Sequence, residues 1–262
     1  MPLHLHAKDN DTHILYHTLF TFEIDFFEKK HNYPINYVGN PCVDAVDDFK
    51  RNKALSRAAF LEQNSLPDKP VVAILAGSRK QEIEANLPLM IEALKQYPSY
   101  QPVVVGAPGI EKDFYARYLN DDVRIVFGQT YDILNNSYAA LVTSGTATLE
   151  TALFNVPQVV CYATPMARLY SWLKKHFLKV KYISLVNLVA DREVVRELVA
   201  ADMTLQNIKD EIGVLLTTDS EKRTAMLKEY SRMMDILGKP GASQRAAEKI
   251  VNLLKTGLKE SQ

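Results

Sequence analysis

Two short stretches carry residue types suited to holding an anion. Ala76-Gly77-Ser78-Arg79 follows the β-branched run Val71–Leu75 and leads into a helix-forming segment. A tight small-residue turn at a helix start leaves backbone N–H groups free, and a guanidinium beside them can hold a phosphate. The same four residues also suit an ordinary strand-to-helix turn with Arg79 in solvent. The second stretch is VTSGTATLE, Val142 to Glu150. Here Ser144, Gly145 and Thr146 would present amides and hydroxyls at the positive end of a helix, an arrangement suited to a diphosphate. Glu150 lies one turn further on, where a carboxylate can accept hydrogen bonds from vicinal hydroxyls such as those of a ribose. The plainer alternative is a capping motif with a surface Glu. Two such turns at the ends of different strands favour the ligand reading, because open α/β sheets bind ligands at the carboxyl ends of their strands.

The elements that must position these turns follow from periodicity. Short apolar runs at Val71–Leu75, Pro102–Val105, Val123–Phe127, Tyr138–Val142, Gln158–Tyr162 and Tyr182–Val186 predict strands. Helical patterns near 80–97, 110–119, 130–136, 146–155 and 165–179 lie between them. This alternation predicts an α/β fold with a doubly wound, mostly parallel sheet. From Asp191 the pattern is helical only, over 191–201, 204–217, 219–236 and 243–256, with Ser243 as the expected N-cap of the last helix. Residues 1–21 form an unpatterned leader, 22–66 contain too little for a domain, and 67–262 hold the sheet domain with its helical tail.

Bulk properties set the class. The chain has 262 residues, 47% apolar and 24% charged, with a formal net charge of zero. That balance gives no sign of a nucleic-acid partner. With only Cys42 and Cys161, a disulfide framework is not expected, and a reducing cytoplasm fits. The start has no signal-peptide pattern, and no apolar run reaches membrane-spanning length. His4 and His6 sit in the leader, and the D-x-D pattern of Asp9-Asn10-Asp11 does not follow a strand, so neither is assigned a metal. The stretch 151–190 carries Arg168, Lys174, Lys175, Lys179 and Lys181 without one Asp or Glu. Met166, Leu169, Tyr170, Leu173 and Phe177 share one face there, with Trp172 beside them. This is either a sheet-covering helix with a solvated basic face or a contact for anionic lipid through 165–181.

LAGSRKQEIE, SGTATLETALFNVPQVVCY, KYISLVNLVADREVVREL and YVGNPCVDAV together resemble lipid-A-disaccharide synthase, from about Phe22 to the last helix. That family consists of two-domain GT-B glycosyltransferases. The resemblance implies transfer of 2,3-diacylglucosamine from UDP to an anionic glycolipid acceptor, 2,3-diacylglucosamine 1-phosphate, by an inverting, metal-independent reaction with no cofactor. It implies that Gly77, Ser78 and Arg79 hold the donor diphosphate, that Ser144, Gly145 and Thr146 contact phosphate, and that Glu150 binds ribose. Asn187 matches a functionally important Asn, and with Arg79 it is the expected catalytic contribution of this chain. Val186 stands where the family usually has Pro before that Asn, and Ala76 where it has Pro before Gly-Ser-Arg. The family also carries an N-terminal domain that binds the acceptor and supplies the catalytic Asp, so this chain is expected to be the donor half and inactive alone. The setting implied is cytoplasmic, at the face of the inner membrane, and a homodimer is compatible with it. Two rivals stay open: a non-catalytic nucleotide-sugar-binding module needing a partner chain, and a UDP-sugar epimerase of the same fold.

Overall fold

The computed structural model describes residues 17–18, 20, 22–30, 35–143, 145–163 and 182–260. Two-residue strands β1 (His17–Thr18) and β2 (Asn36–Tyr37) pair in parallel, with a short helix α1 (Phe22–Asp25) and a wider turn of helix at Phe26–Lys30 between them. Helix α2 (Pro41–Asn52) starts with Pro at its first position and the Asn40 side chain accepting from Cys42 N–H, both common at helix starts. Helix α3 is Arg57–Gln63. Val46 of α2, Phe60 of α3 and Leu66 are buried in the same core as the sheet.

The sheet follows as β3 (Val71–Leu75), β4 (Gln101–Gly106), β5 (Arg124–Phe127), β6 (Ser137–Val142), β7 (Gln158–Tyr162) and β8 (Glu197–Val199). All five pairings are parallel, in the order β5-β4-β3-β6-β7-β8. Val71, Val72, Ala73 and Ile74 are fully buried, as expected for a central strand covered on both faces. Helix α4 (Lys80–Leu94) lays Ile83, Leu87, Met90 and Leu94 into the core at spacings of four, three and four. Helices α5 (Lys112–Ala116), α6 (Thr130–Asn135) and α7 (Thr146–Leu153) complete the crossovers up to β7. After β7 come α8 (Leu185–Ala190), α9 (Leu205–Leu216), α10 (Glu221–Leu237) and α11 (Ala242–Glu260). The expected helix 165–179, with its basic and aromatic residues, lies outside the described residues.

Three expectations are corrected. Tyr182–Val186 does not form a strand: Ser184 caps α8, accepting from Asn187 N–H, so the β-branched run opens a helix. The segment 191–201 is not a helix but holds β8 and a 3₁₀ turn at Ala200–Asp202. Its strand is drawn onto the sheet edge beside β7, where Leu198 and Val199 are buried. Ser243 is not the N-cap of α11, which begins at Ala242. The cap comes from α2, whose Asp44 carboxylate accepts N–H bonds from Gly241, Ala242 and Ser243.

Candidate functional site

Strand order reverses between β3 and β6, and the site forms there. Leu75 and Val142 are register partners at the carboxyl ends of these strands, and Thr143 N–H donates to Leu75 C=O at 2.8 Å. The turns 76–79 and 143–146 are therefore neighbours at the topological switch point. Between them lies a cleft of ≈ 550 Å³, lined by Gly77, Ser78, Arg79, Gly145, Thr146 and Glu150, with the end of β4 (Gly106 to Pro108) on one side. Six of the expected site residues thus meet in one place. Of the other two, Ser144 lies outside the described residues and Asn187 lies elsewhere.

Local backbone explains the residue choices. Gly77 has φ 123°, and a Cβ there would sit 2.6 Å from Glu82 Cβ, so only glycine fits. Gly145 has φ 134° with open space around its missing side chain, which leaves the start of α7 accessible. The rim is braced by buried polar side chains that sequence reasoning did not single out. Asn86, fully buried in α4, donates to Ala76 C=O and Glu82 C=O and accepts from Ala163 N–H, tying the end of β3 to the end of β7. Tyr115 OH accepts from Ala107 N–H at 2.9 Å and holds the end of β4. Thr148 donates to Gly145 C=O and accepts from Leu185 N–H.

Two carboxylates line the cleft. Glu82, at the third position of α4, accepts from Ser78 N–H at 3.0 Å and Arg79 N–H at 3.3 Å, and its other oxygen accepts from Arg79 Nη1 at 3.2 Å. A Glu three residues into a helix is the sequence sign of such a cap and could have revealed it. The Arg79 side chain is 80% exposed. Glu150 accepts from Tyr131 OH at 2.7 Å. Burial first, then the hydrogen bond and charge of Glu150, raise the Tyr131 phenol well above its ordinary value, so the phenol stays a donor and fixes the orientation of the carboxylate. Tyr131 is itself wedged against Phe49 and Phe154, with ring centroids 5.4 and 5.1 Å away. Burial, then the Glu150 charge, also raises the Cys42 thiol, which keeps it protonated and unreactive. Thr143 lines the same cleft; it is 3% exposed and its hydroxyl has no hydrogen-bond partner among the described residues.

Asn187 is not brought to the cleft. It is fully buried in α8, donating to Val195 C=O and Glu197 Oε1 and accepting from the N–H groups of Val194 and Val195, all between 2.8 and 2.9 Å. With its amide fully used, it staples the 191–197 connection to α8. In this structure Asn187 has a bracing role and does not line the cleft.

What a cleft of this kind belongs to is narrowed by comparison with known proteins. Among solved structures, the S. aureus MnaA–UDP co-structure is similar with a TM-score of 0.59 and 16% identity, over 88% of this chain and 57% of that one. A UDP-N-acetylglucosamine 2-epimerase structure also gives a TM-score of 0.59 at 16% identity, over 92% of this chain and 58% of its own. At such identity these likenesses speak to the fold. In sequence, the lipid-A-disaccharide synthase of Coxiella burnetii (strain CbuG_Q212) is 34% identical over 241 residues, 90% of this chain and 62% of the relative. That of Myxococcus xanthus (strain DK1622) is 36% identical over 244 residues, again 90% of this chain and 61% of the relative. The chain therefore spans about three-fifths of the length of these relatives. The family model described as lipid-A-disaccharide synthetase matches residues 8–251, a span that takes in both turns and their braces, and the chain belongs to that family.

Proposed function

We propose that this chain supplies the UDP-sugar site of a lipid-A-disaccharide synthase, which transfers 2,3-diacylglucosamine from UDP to 2,3-diacylglucosamine 1-phosphate. The observation that carries the proposal is the joining of two anion-type turns at the β3/β6 switch point, with Glu150 held one helical turn beyond. A diphosphate placed between the turns meets the start of α7 on one side and Arg79 on the other. A nucleoside attached to it reaches Glu150, whose free oxygen can accept from a ribose hydroxyl. During transfer the departing UDP gains negative charge, and donors fixed around it stabilise that charge in the transition state. The acceptor hydroxyl must lose its proton to a base, and among the described lining residues the carboxylates are Glu82, held by the turn amides and Arg79, and Glu150, bonded to Tyr131. In this reading the base and the acceptor are brought by protein outside the cleft lining, the reaction is inverting and needs no metal, and the chain alone leaves UDP-sugar intact. The proposed setting is the cytoplasmic face of the inner membrane, held by peripheral contact through 165–181. No helix among the described residues is long and apolar enough to cross a membrane.

The test separates ribose from phosphate. In calorimetry the chain is expected to bind UDP at one site, and Glu150→Gln to weaken UDP at least fivefold without weakening pyrophosphate. Equal losses for both ligands, or no UDP binding by the folded wild type, would remove the assignment. Conversion of UDP-N-acetylglucosamine by the chain would favour the epimerase alternative instead.

A further inference from the structure

We propose that Glu82 is an internal competitor for the donor diphosphate: its carboxylate takes the turn amides and the guanidinium that a phosphate would take, and a nucleoside diphosphate enters by exchange with it. This inference rests on the functional reading above. Its basis is the lining charge. Among the described residues of the cleft, Arg79 is the only cation, facing the carboxylates of Glu82 and Glu150. One positive group against two negative ones repels a dianionic ligand as long as Glu82 stays where it is.

Geometry shows how Glu82 fills the place of an anion. One oxygen receives both Ser78 N–H and Arg79 N–H, and the other receives the Arg79 guanidinium. These are the donors a phosphate uses at a helix start. The side chain lies directly over Gly77, within 2.6 Å of where a Cβ would be, so ligand and carboxylate cannot share the turn. The exchange is not prohibitive. Arg79 is mostly exposed and the pair lies three residues apart on one helix, a class of ion pair that holds weakly. A second feature points to a ligand in the same cleft: the buried Thr143 hydroxyl lines it without a partner among the described residues. On this view Arg79 serves two anions in turn, and Glu82 sets how strongly a ligand must compete.

Glu82→Gln tests this cleanly, because Gln at the third helical position still accepts from the cap N–H and only the charge is lost. The expected result, read by calorimetry on the full chain, is a roughly three- to tenfold gain in affinity for UDP and pyrophosphate, with uridine unchanged. Glu84→Gln is the control, since Glu84 sits on the same helix but pairs with Arg117 outside the cleft; it is expected to leave UDP affinity unchanged. Glu82→Asp, which shortens the reach by one methylene, is expected to fall between wild type and Glu82→Gln. Equal or weaker UDP binding in Glu82→Gln, with wild-type binding intact, overturns the competitor role and leaves the UDP site standing. Failure of the folded wild type and both Glu82 variants to bind UDP overturns both.

Discussion

Replacing Asn187 by alanine distinguishes a bracing residue from one that touches the ligand. Of its four hydrogen bonds, the two to Val195 are fully buried and those to Val194 and Glu197 partly so. Truncation leaves Val195, which is fully buried, with both its N–H and its C=O deprived of this partner, and Val194 N–H likewise. Each buried group left unpaired costs about 1–3 kcal/mol. Glu197 retains other donors in Ile183 and Ser184, so its loss adds little. The expected destabilisation is about 3–5 kcal/mol, within the range for breaking a buried hydrogen-bond network. For a chain of this size that corresponds to a melting temperature lower by roughly 6–20 °C.

Urea unfolding followed by far-UV circular dichroism reads the stability, and calorimetry at low temperature reads UDP affinity in the molecules that remain folded. Affinity should fall less than about fivefold, the equivalent of about 1 kcal/mol. Asn187→Asp sharpens the test. It keeps the acceptor for Val194 and Val195 but sets a second carboxylate where the amide donated to Glu197 Oε1 at 2.8 Å. Two carboxylates so close cannot both stay charged, and a protonated one can donate again, so the defect should shrink as pH falls toward 5. Stability within 1 kcal/mol of wild type, combined with a tenfold or greater loss of UDP affinity in Asn187→Ala, would refute the reasoning.

Two further outcomes are expected. Tyr131→Phe removes the hydrogen bond that orients Glu150, and should weaken UDP about three- to tenfold with pyrophosphate unaffected; equal effects on both ligands in calorimetry would contradict it. The docking of α11 should depend on pH through Asp44. Burial alone would raise that carboxyl, but the N–H groups of Ser243, Gly241 and Ala242 outweigh it and hold it below its ordinary value. A depressed folded-state value means stabilisation that is fully present above the unfolded value of about 3.9 and lost as pH falls through the lower folded value. Asp44→Asn should therefore be less stable than wild type at pH 7, with the difference closing below about pH 4; a pH-independent difference would rule this out.

Most strands were legible because their signals are local. Val71–Leu75 and Gln158–Tyr162 are uninterrupted apolar runs, the first between Pro70 and the Gly77 turn and the second just after Pro157, and a central parallel strand needs nothing more. The segment 182–201 was misread because its state is decided at a distance. Tyr182-Ile183-Ser184-Leu185-Val186 has the composition of a strand, yet the Glu197 carboxylate gathers Ile183 N–H, Ser184 N–H and the Ser184 hydroxyl, turning the chain into a helix. No window short enough for periodicity contains both ends of that contact. The phosphate-type turns were legible from small residues and Arg79, while Tyr131 and Asn86 were not. A tyrosine and a mid-helix asparagine look ordinary until the sheet brings Glu150 and Ala76 beside them.

The same contacts bound what Asn187 can do to the cleft. From Asn187 the path runs through its N–H to the Ser184 hydroxyl at 3.3 Å, then from Leu185 N–H to the Thr148 hydroxyl at 3.3 Å, and from Thr148 to Gly145 C=O at 2.8 Å. The first of these bonds uses the Asn187 backbone and survives any change of its side chain. Truncation can shift α8 through the loss of the 191–197 staple, and α8 bears on the cleft through the Leu185 bond and through its direct packing against α7. A net hydrogen bond carries about 1 kcal/mol, so the hydrogen-bonded route passes about that much to the turn at Gly145. Asn86, by contrast, meets the turn directly, donating to Ala76 C=O at 3.4 Å and to Glu82 C=O at 2.8 Å. The residue the family motif marks therefore acts on the cleft through α8, while the unmarked asparagine in α4 acts on it without an intermediate.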